Sequence, residues 1–287
     1  MTQHTAREFT YHIGWRSRGR HPGRHASAQQ GLGMEFRNHA PLIAHPDPRR
    51  IDLRQTLRDP FDQVYVRIFN QKSSIPVQVI CDLSGSMGFS GHMRKMALAS
   101  EITASVAYSA HRVNDPFSFV GFDDSIREDW LLRSSTRLHG GLDIAQRLDN
   151  YHPAVKGAKG LLEIGDYVPR ERGLIFLISD FHLPLETLEL ALTPLVRHHV
   201  VPIVLWDAAE YRSLPEFGIT SVSDSETGAR RTLFLRRDYR ERILQQFEKR
   251  RTALTHLLMR HNMPPFFVED GFNPDNLSEY FFQFVAP

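Results

Sequence analysis

Residues 76–87 read PVQVICDLSGSM, a short apolar run that ends in an acid followed by two alternating serines. The run is rich in Val and Ile and bounded by turn residues, as expected of a strand covered on both faces of a sheet. Three more runs of this kind follow at Phe117–Phe122 (FSFVGF), 173–179 (GLIFLIS) and 200–206 (VVPIVLW). Between them, residues 93–112, 142–151 and 185–198 have the length and apolar spacing of helices. Strands alternating with helices predict an α/β fold: a doubly wound, mostly parallel sheet flanked by helices.

Outward from this block the patterning changes. Residues 1–75 form an N-terminal β-rich extension, in which 16–33 (RSRGRHPGRHASAQQGLG) reads as a flexible Arg-rich arm, followed by a small β-rich element with 63–69 as a half-buried strand. Residues 76–287 form the α/β domain. Its later part carries a β-hairpin insertion (220–222 and 232–235), an apolar-striped helix at 238–261, a short strand at 266–268 and a last helix at 276–284.

The chain has 287 residues, with 35 Lys+Arg against 33 Asp+Glu. This balance excludes a wholly polycationic coat or an acidic tail protein, yet it conceals a division. Residues 1–60 hold ten Arg and five acids, a balance of +5, which leaves 25 basic and 28 acidic residues, or −3, for the remainder. The single cysteine, Cys81, excludes an internal disulfide framework and multi-cysteine metal sites. With no long apolar run and no apolar leader core, the expected location is the cytoplasm, without membrane insertion.

In an open α/β sheet the ligand crevice lies outside the carboxyl ends of the strands, at the topological switch point. Asp82, Ser84 and Ser86 stand at the end of the first strand, and Asp180 stands at the same place after 173–179. Carboxylates and hydroxyls converging there suit a hard divalent cation, Mg²⁺ first, which takes oxygen ligands and keeps several waters. The alternative is that each Asp caps its own turn. No phosphate loop, dinucleotide turn or nucleophile elbow is present, because Ser84 occupies the first glycine position of the elbow pattern. The chain is therefore expected not to be an enzyme.

DLSGSM, then SFVGFDD, GGLDIA and LIFLISD, resembles the von Willebrand factor A domain. The resemblance implies a metal-ion-dependent adhesion site. Its two loop serines, here Ser84 and Ser86, coordinate the cation directly (Mg²⁺, or Mn²⁺ or Ca²⁺), and acids matching Asp82 and Asp180 act through water. A partner's carboxylate fills the free position. Leu142 stands where that family has Thr. Either water, Asp143 or one of Ser134, Ser135 and Thr136 supplies the missing oxygen, or the site is vestigial.

GRHASAQQGLGMEF (23–36), PDPRRIDLRQTLRDPFDQVYVRIFNQ (46–71), the DLSGSM loop and residues 224–228 together resemble a narrower family, known only as a domain of unknown function. Its members accompany MoxR-type AAA+ ATPases and include an MxaS type associated with methanol oxidation. The chain departs from that pattern at residues 45–48 and at Leu53. The resemblance implies a non-enzymatic adaptor that works with a MoxR-type ATPase on a client complex, in maturation or metal insertion, with methanol dehydrogenase as a candidate client. Arg16, Arg18, Arg20 and Arg24 are candidate partner-binding residues, able to pair with acidic surfaces. The competing readings are a nucleic-acid-binding protein using this arm and a scaffold that needs no metal. Arg49, Arg50, Asp52 and Arg54 are read as members of ion pairs that pin the N-terminal extension to the α/β domain, with partner binding as the alternative. The late Arg/Lys residues are read as a solvated helix face, and Cys81 as a core residue.

Overall fold

The computed structural model describes residues 6–17, 22–89, 91, 93–155, 157–207, 218–223, 230–235, 237–269 and 271–284. The chain divides into two compact units, Ile13–Ile75 and a larger one of Met1–His12 with Pro76–Ala286.

In the smaller unit, β1 (Pro22–Pro41) pairs antiparallel with β2 (Tyr65–Ser73), with several register shifts along the ladder. Residues 22–33, expected as a flexible arm, are thus strand. The pattern there lacks alternation because the shifts break the two-residue period. Between the strands a one-turn helix, α1 (Leu53–Thr56), is capped by Asp52, whose carboxylate accepts from the Arg54 and Gln55 amides. The same carboxylate meets His39 at 3.1 Å and Arg67 at 3.2 Å, and Arg50 meets Asp47 at 3.2 Å. Both partners of each of these ion pairs lie inside this unit, where the sequence reading expected pairs reaching the α/β domain. Arg54 contributes its amide to the cap.

The larger unit opens with residues 6–12, where Phe9 stacks on Phe281 and meets Phe176 edge-on. Next come β3 (Val77–Asp82), α2 (Lys95–Val113), β4 (Phe117–Phe122), β5 (Ile126–Ser135), α3 (Leu138–Asp149), β6 (Leu174–Ser179), α4 (Leu185–Leu192) and β7 (His199–Leu205). The hairpin strands β8 (Gly218–Ser223) and β9 (Arg230–Leu235), then α5 (Arg237–Arg260), β10 (Phe266–Val268) and α6 (Pro274–Phe284), complete it. Residues 224–228 lie outside the described residues, as do Arg18 and Arg20.

The main sheet runs β10-β7-β6-β3-β4-β5. All neighbours are parallel except β4 and β5. This is the expected doubly wound, mostly parallel sheet. Every residue of β3, β4 and β6 is buried, which is why each reads as a continuous apolar run rather than an alternating one. The antiparallel edge strand β5 (IREDWLLRSS) has no such signature. Its Arg, Glu and Asp residues face away from the core, so the sequence pattern does not flag it.

The close approach of α2 and α3 depends on one glycine. A Cβ on Gly141 would lie 2.5 Å from the Ala107 Cβ of α2. Gly141 therefore serves helix packing.

Candidate functional site

β3 and β6 are hydrogen-bonded neighbours, with Cys81 paired to Ile178, so Asp82 and Asp180 emerge side by side at the carboxyl edge of the sheet. The chain runs outward from β3 through β4 to β5 and then returns to β6 on the other side of β3. The two acids therefore flank the switch point.

The DLSGSM loop folds as a tight turn. Asp82 Oδ1 accepts from the Ser84 amide at 2.9 Å, and Asp82 Oδ2 accepts from the Ser179 hydroxyl at 2.7 Å. The hydroxyls of Ser84 and Ser86 lie 3.1 Å apart, within hydrogen-bonding reach of each other. The Gly85 amide donates to the Val155 carbonyl at 2.8 Å, which draws residues 150–155 over the loop. Asp82, Ser84, Ser86 and Asp180 are all buried.

The turn after β6 is fixed from several sides. Phe181 holds a φ of 53°, a left-handed conformation that is strained for a bulky residue. Its amide donates to the Ser179 hydroxyl at 2.9 Å. Trp206 Nε1–H donates to the Asp180 carbonyl at 2.7 Å, and Arg250 donates to the carbonyls of Phe181 and Leu183. Arg251 pairs with Glu269 at 2.6 Å. These two arginines are therefore tied into the fold and do not line a solvated face of α5.

The residue that the sequence reasoning missed is Lys95. Its ammonium lies 2.9 Å from Asp180 Oδ2 and 3.4 Å from the Ser86 carbonyl, and it sits over the Phe89 ring at 5.7 Å from the centroid. The side chains of Lys95 and Asp180 are only 3% and 1% exposed. Lys95 is the first residue of α2, where a cation opposes the helix dipole at a cost of about 0.3–1 kcal/mol. That conflict, in the helix that follows the DxSxS loop, is the signal that was available.

Charge follows from this arrangement. Burial, then the neighbouring Asp180, raises the Asp82 carboxyl to about 7, against hydrogen bonds from Ser179 and Ser84 that pull it down. Burial also pushes Asp180 upward, but the Lys95 ammonium, His182 and the Ser86 hydrogen bond outweigh it and hold Asp180 below the usual carboxylate range. Burial, then Asp82, raises the Cys81 thiol, consistent with a core residue.

Two further acids end neighbouring strands. Asp123, after β4, pairs with Arg127 at 2.8 Å, and Asp207, after β7, accepts from the Met93 amide at 3.0 Å. A cleft of about 250 Å³ opens beside Lys95, lined by Met87, Phe89, Arg94, Tyr151 and His152.

Asp143 is not brought to this group. It lies on the outer face of α3, with its side chain 52% exposed and 3.3 Å from His139 one turn earlier. Ser135 pairs with Phe117, at the opposite end of β4 from Phe122, whose partner is Asp82. Five residues of strand separate the two ends, roughly 16 Å at 3.3 Å per residue. Ser134, Ser135 and Thr136 are thus at the wrong edge of the sheet to complete a cation site, because α3 starts there. Among the described residues, no group of three or more His, Cys, Asp or Glu side chains is placed to hold a metal. The carboxylates of Asp82 and Asp180 accept from this chain's own donors, and the Lys95 ammonium is already seated 2.9 Å from Asp180. A buried ammonium at Asp180, with a leucine at position 142, does not fit a divalent ion. Arg16 and Arg24 are exposed in the smaller unit. Among the described residues, no helix is long and apolar enough to cross a membrane.

Among known proteins, a family model described as "Protein of unknown function DUF58" matches residues 46–253. An "Uncharacterized protein in moxR 3'region" of Paracoccus denitrificans is 34% identical over 98 residues, which span 34% of this chain and 93% of the relative. Among solved structures, the chain is similar to the conserved hypothetical protein BatB from Bacteroides thetaiotaomicron (14% identity, 74% of this chain and 98% of that one, TM-score 0.45). It is also similar to a von Willebrand factor type A protein from Catenulispora acidiphila (20% identity, 48% of this chain and 35% of that one, TM-score 0.35).

Proposed function

Because the chain belongs to the DUF58 family, with the matched segment reaching from α1 through the DxSxS loop into α5, we propose that it is a non-enzymatic adaptor. In this reading it works with a MoxR-type AAA+ ATPase in maturing a client complex. The observation that carries this reading is the 34% identical relative, whose name puts it in the 3' region of moxR.

The chemistry of the crevice supports an interaction role over a catalytic one. The Ser84 and Ser86 hydroxyls lie 3.1 Å from each other, and the acids beside them are held by the chain's own donors. The imidazole of His182 lies 4.0 Å from Asp180, so it is placed to feel that carboxylate. The cleft beside Lys95 offers an apolar floor (Met87, Phe89, Tyr151) rimmed by Arg94 and His152, a suitable seat for an acidic or aromatic side chain of a partner. The exposed Arg16 and Arg24 supply a second, electrostatic contact. The finer form of the reading makes a metal-dependent dehydrogenase, such as methanol dehydrogenase, the client.

The test is binding between the purified full chain and the MoxR-type ATPase encoded in the same genome, measured calorimetrically in the ATP-, ADP- and nucleotide-free states. The expected result is a saturable complex that depends on the nucleotide and weakens with salt. Absence of binding in all three states sinks the proposal. Removal of the gene, followed by metal analysis of the dehydrogenase, tests the client.

A further inference from the structure

We propose that Lys95 is the resident cation of this crevice: its ammonium holds the place a divalent ion would take between the DxSxS loop and Asp180, so the site works without metal. The proposal does not depend on the identity of the ATPase or the client.

Two acids buried at adjacent strand ends are costly to charge, and a cation held nearby offsets that cost. The chain supplies one from its own side chains. Lys95 starts α2, and helical side chains lean toward the amino end, which directs its four-carbon stem back over the loop. There the ammonium bridges the two halves of the site, reaching Asp180 Oδ2 from β6 at 2.9 Å and the Ser86 carbonyl of the loop at 3.4 Å. The Phe89 ring covers it at 5.7 Å, a cation–π contact that strengthens as water is excluded.

The remaining ligand positions agree. A divalent ion needs several free oxygen acceptors, and Mg²⁺ also needs room for its own waters. Each oxygen of Asp82 and Asp180 already accepts one donor of this chain, and the donor at Asp180 Oδ2 is itself a cation that would repel a divalent ion. The side chain at position 142 is a leucine on α3, a helix that begins at the far edge of the sheet. An ammonium requires no octahedral shell, so a site with these gaps is complete with Lys95 and incomplete with a metal. The recognition surface it supports is then the cleft itself, in which a partner's acid meets Arg94 and His152 and no bound ion.

The test uses the full-length protein stripped with chelator. Thermal melts with and without millimolar Mg²⁺, and the electron paramagnetic resonance signal of free Mn²⁺ titrated with protein, are recorded for the wild type and for Lys95→Ser. The wild type is expected to melt at the same temperature throughout and to leave the Mn²⁺ signal undiminished. Lys95→Ser, which removes the ammonium and adds an oxygen, should melt lower, bind one Mn²⁺ at least tenfold more tightly than the wild type, and regain melting temperature on Mg²⁺ addition. One-site Mn²⁺ binding by the wild type that Ser86→Ala abolishes would overturn the proposal, as would a folded Lys95→Ser that ignores both ions. If Lys95→Ser does not fold, the wild-type Mn²⁺ titration decides alone.

Discussion

Gly140 and Gly141 are adjacent in sequence and in the same helix, yet alanine at the two positions should move stability in opposite directions. At Gly141 the new Cβ would stand 2.5 Å from the Ala107 Cβ and 3.2 Å from Phe117 Cε1. Ordinary contact is about 3.5 Å, and Ala107 is fixed to the backbone of α2, so the helices must part by about 1 Å. Overpacking of this kind costs about 1–3 kcal/mol, and the upper half of that range suits a clash with no flexible atom to yield. Replacing Gly by Ala in a helix returns about 1 kcal/mol, leaving Gly141→Ala destabilised by about 1–2 kcal/mol. At Gly140 the nearest atom is the Leu132 Cδ1 at 3.1 Å, the mobile end of a side chain. There the helix gain dominates, and Gly140→Ala should be stabilised by about 0.5–1 kcal/mol. The two variants should differ by about 2 kcal/mol or more, hence by about 4–8 °C in melting temperature for a unit of this size. Circular dichroism at 222 nm follows the transition, since every helix of two turns or more lies in the larger unit. If Gly141→Ala melts at or above Gly140→Ala, the assignment of Gly141 to helix packing is wrong.

Three further outcomes follow from the site. Asp82, raised to about 7 by burial and Asp180, keeps a proton in the folded state that the unfolded chain releases near pH 3.9. Its contribution to stability is full below that value and lost as pH rises through 7. Asp180, held low, acts in the opposite sense and loses its contribution only on acidification. Asp82→Asn should therefore flatten the fall in melting temperature between pH 5 and 8, and an unchanged profile would contradict the assignment. Trp206→Phe leaves the buried Asp180 carbonyl without its indole donor, at a cost of about 1–3 kcal/mol read by urea denaturation. Asp143→Ala, on the exposed face of α3, should change stability by less than about 0.5 kcal/mol and leave ATPase binding unaltered in calorimetry.

The parallel strands were legible because burial on both faces writes itself as unbroken Val, Ile and Phe, and β4 matches its run residue for residue. The positions of Asp82 and Asp180 followed, since a strand end fixes where the next side chain goes. Lys95 was not legible in the same way. In MRKMALAS it resembles any helix lysine, and only the fold of the preceding loop turns it inward. Asp143 failed for the converse reason: it follows Gly-Gly as a motif residue would, but the helix starts at the far edge of the sheet and carries the acid outward. β5 escaped notice because an edge strand has one face to charge freely.

That charged edge has a consequence for how other molecules meet the protein. An open sheet invites a partner to add a strand of its own, and proteins blunt such margins with charge and brevity. Here one margin is β5, whose outward residues include Arg127, Glu128, Asp129 and Arg133, and the other is β10, three residues long. Backbone pairing is disfavoured at both. At the main sheet, the docking of another chain is thereby left to side chains and loop ends, where single substitutions can retune a partner without disturbing the sheet.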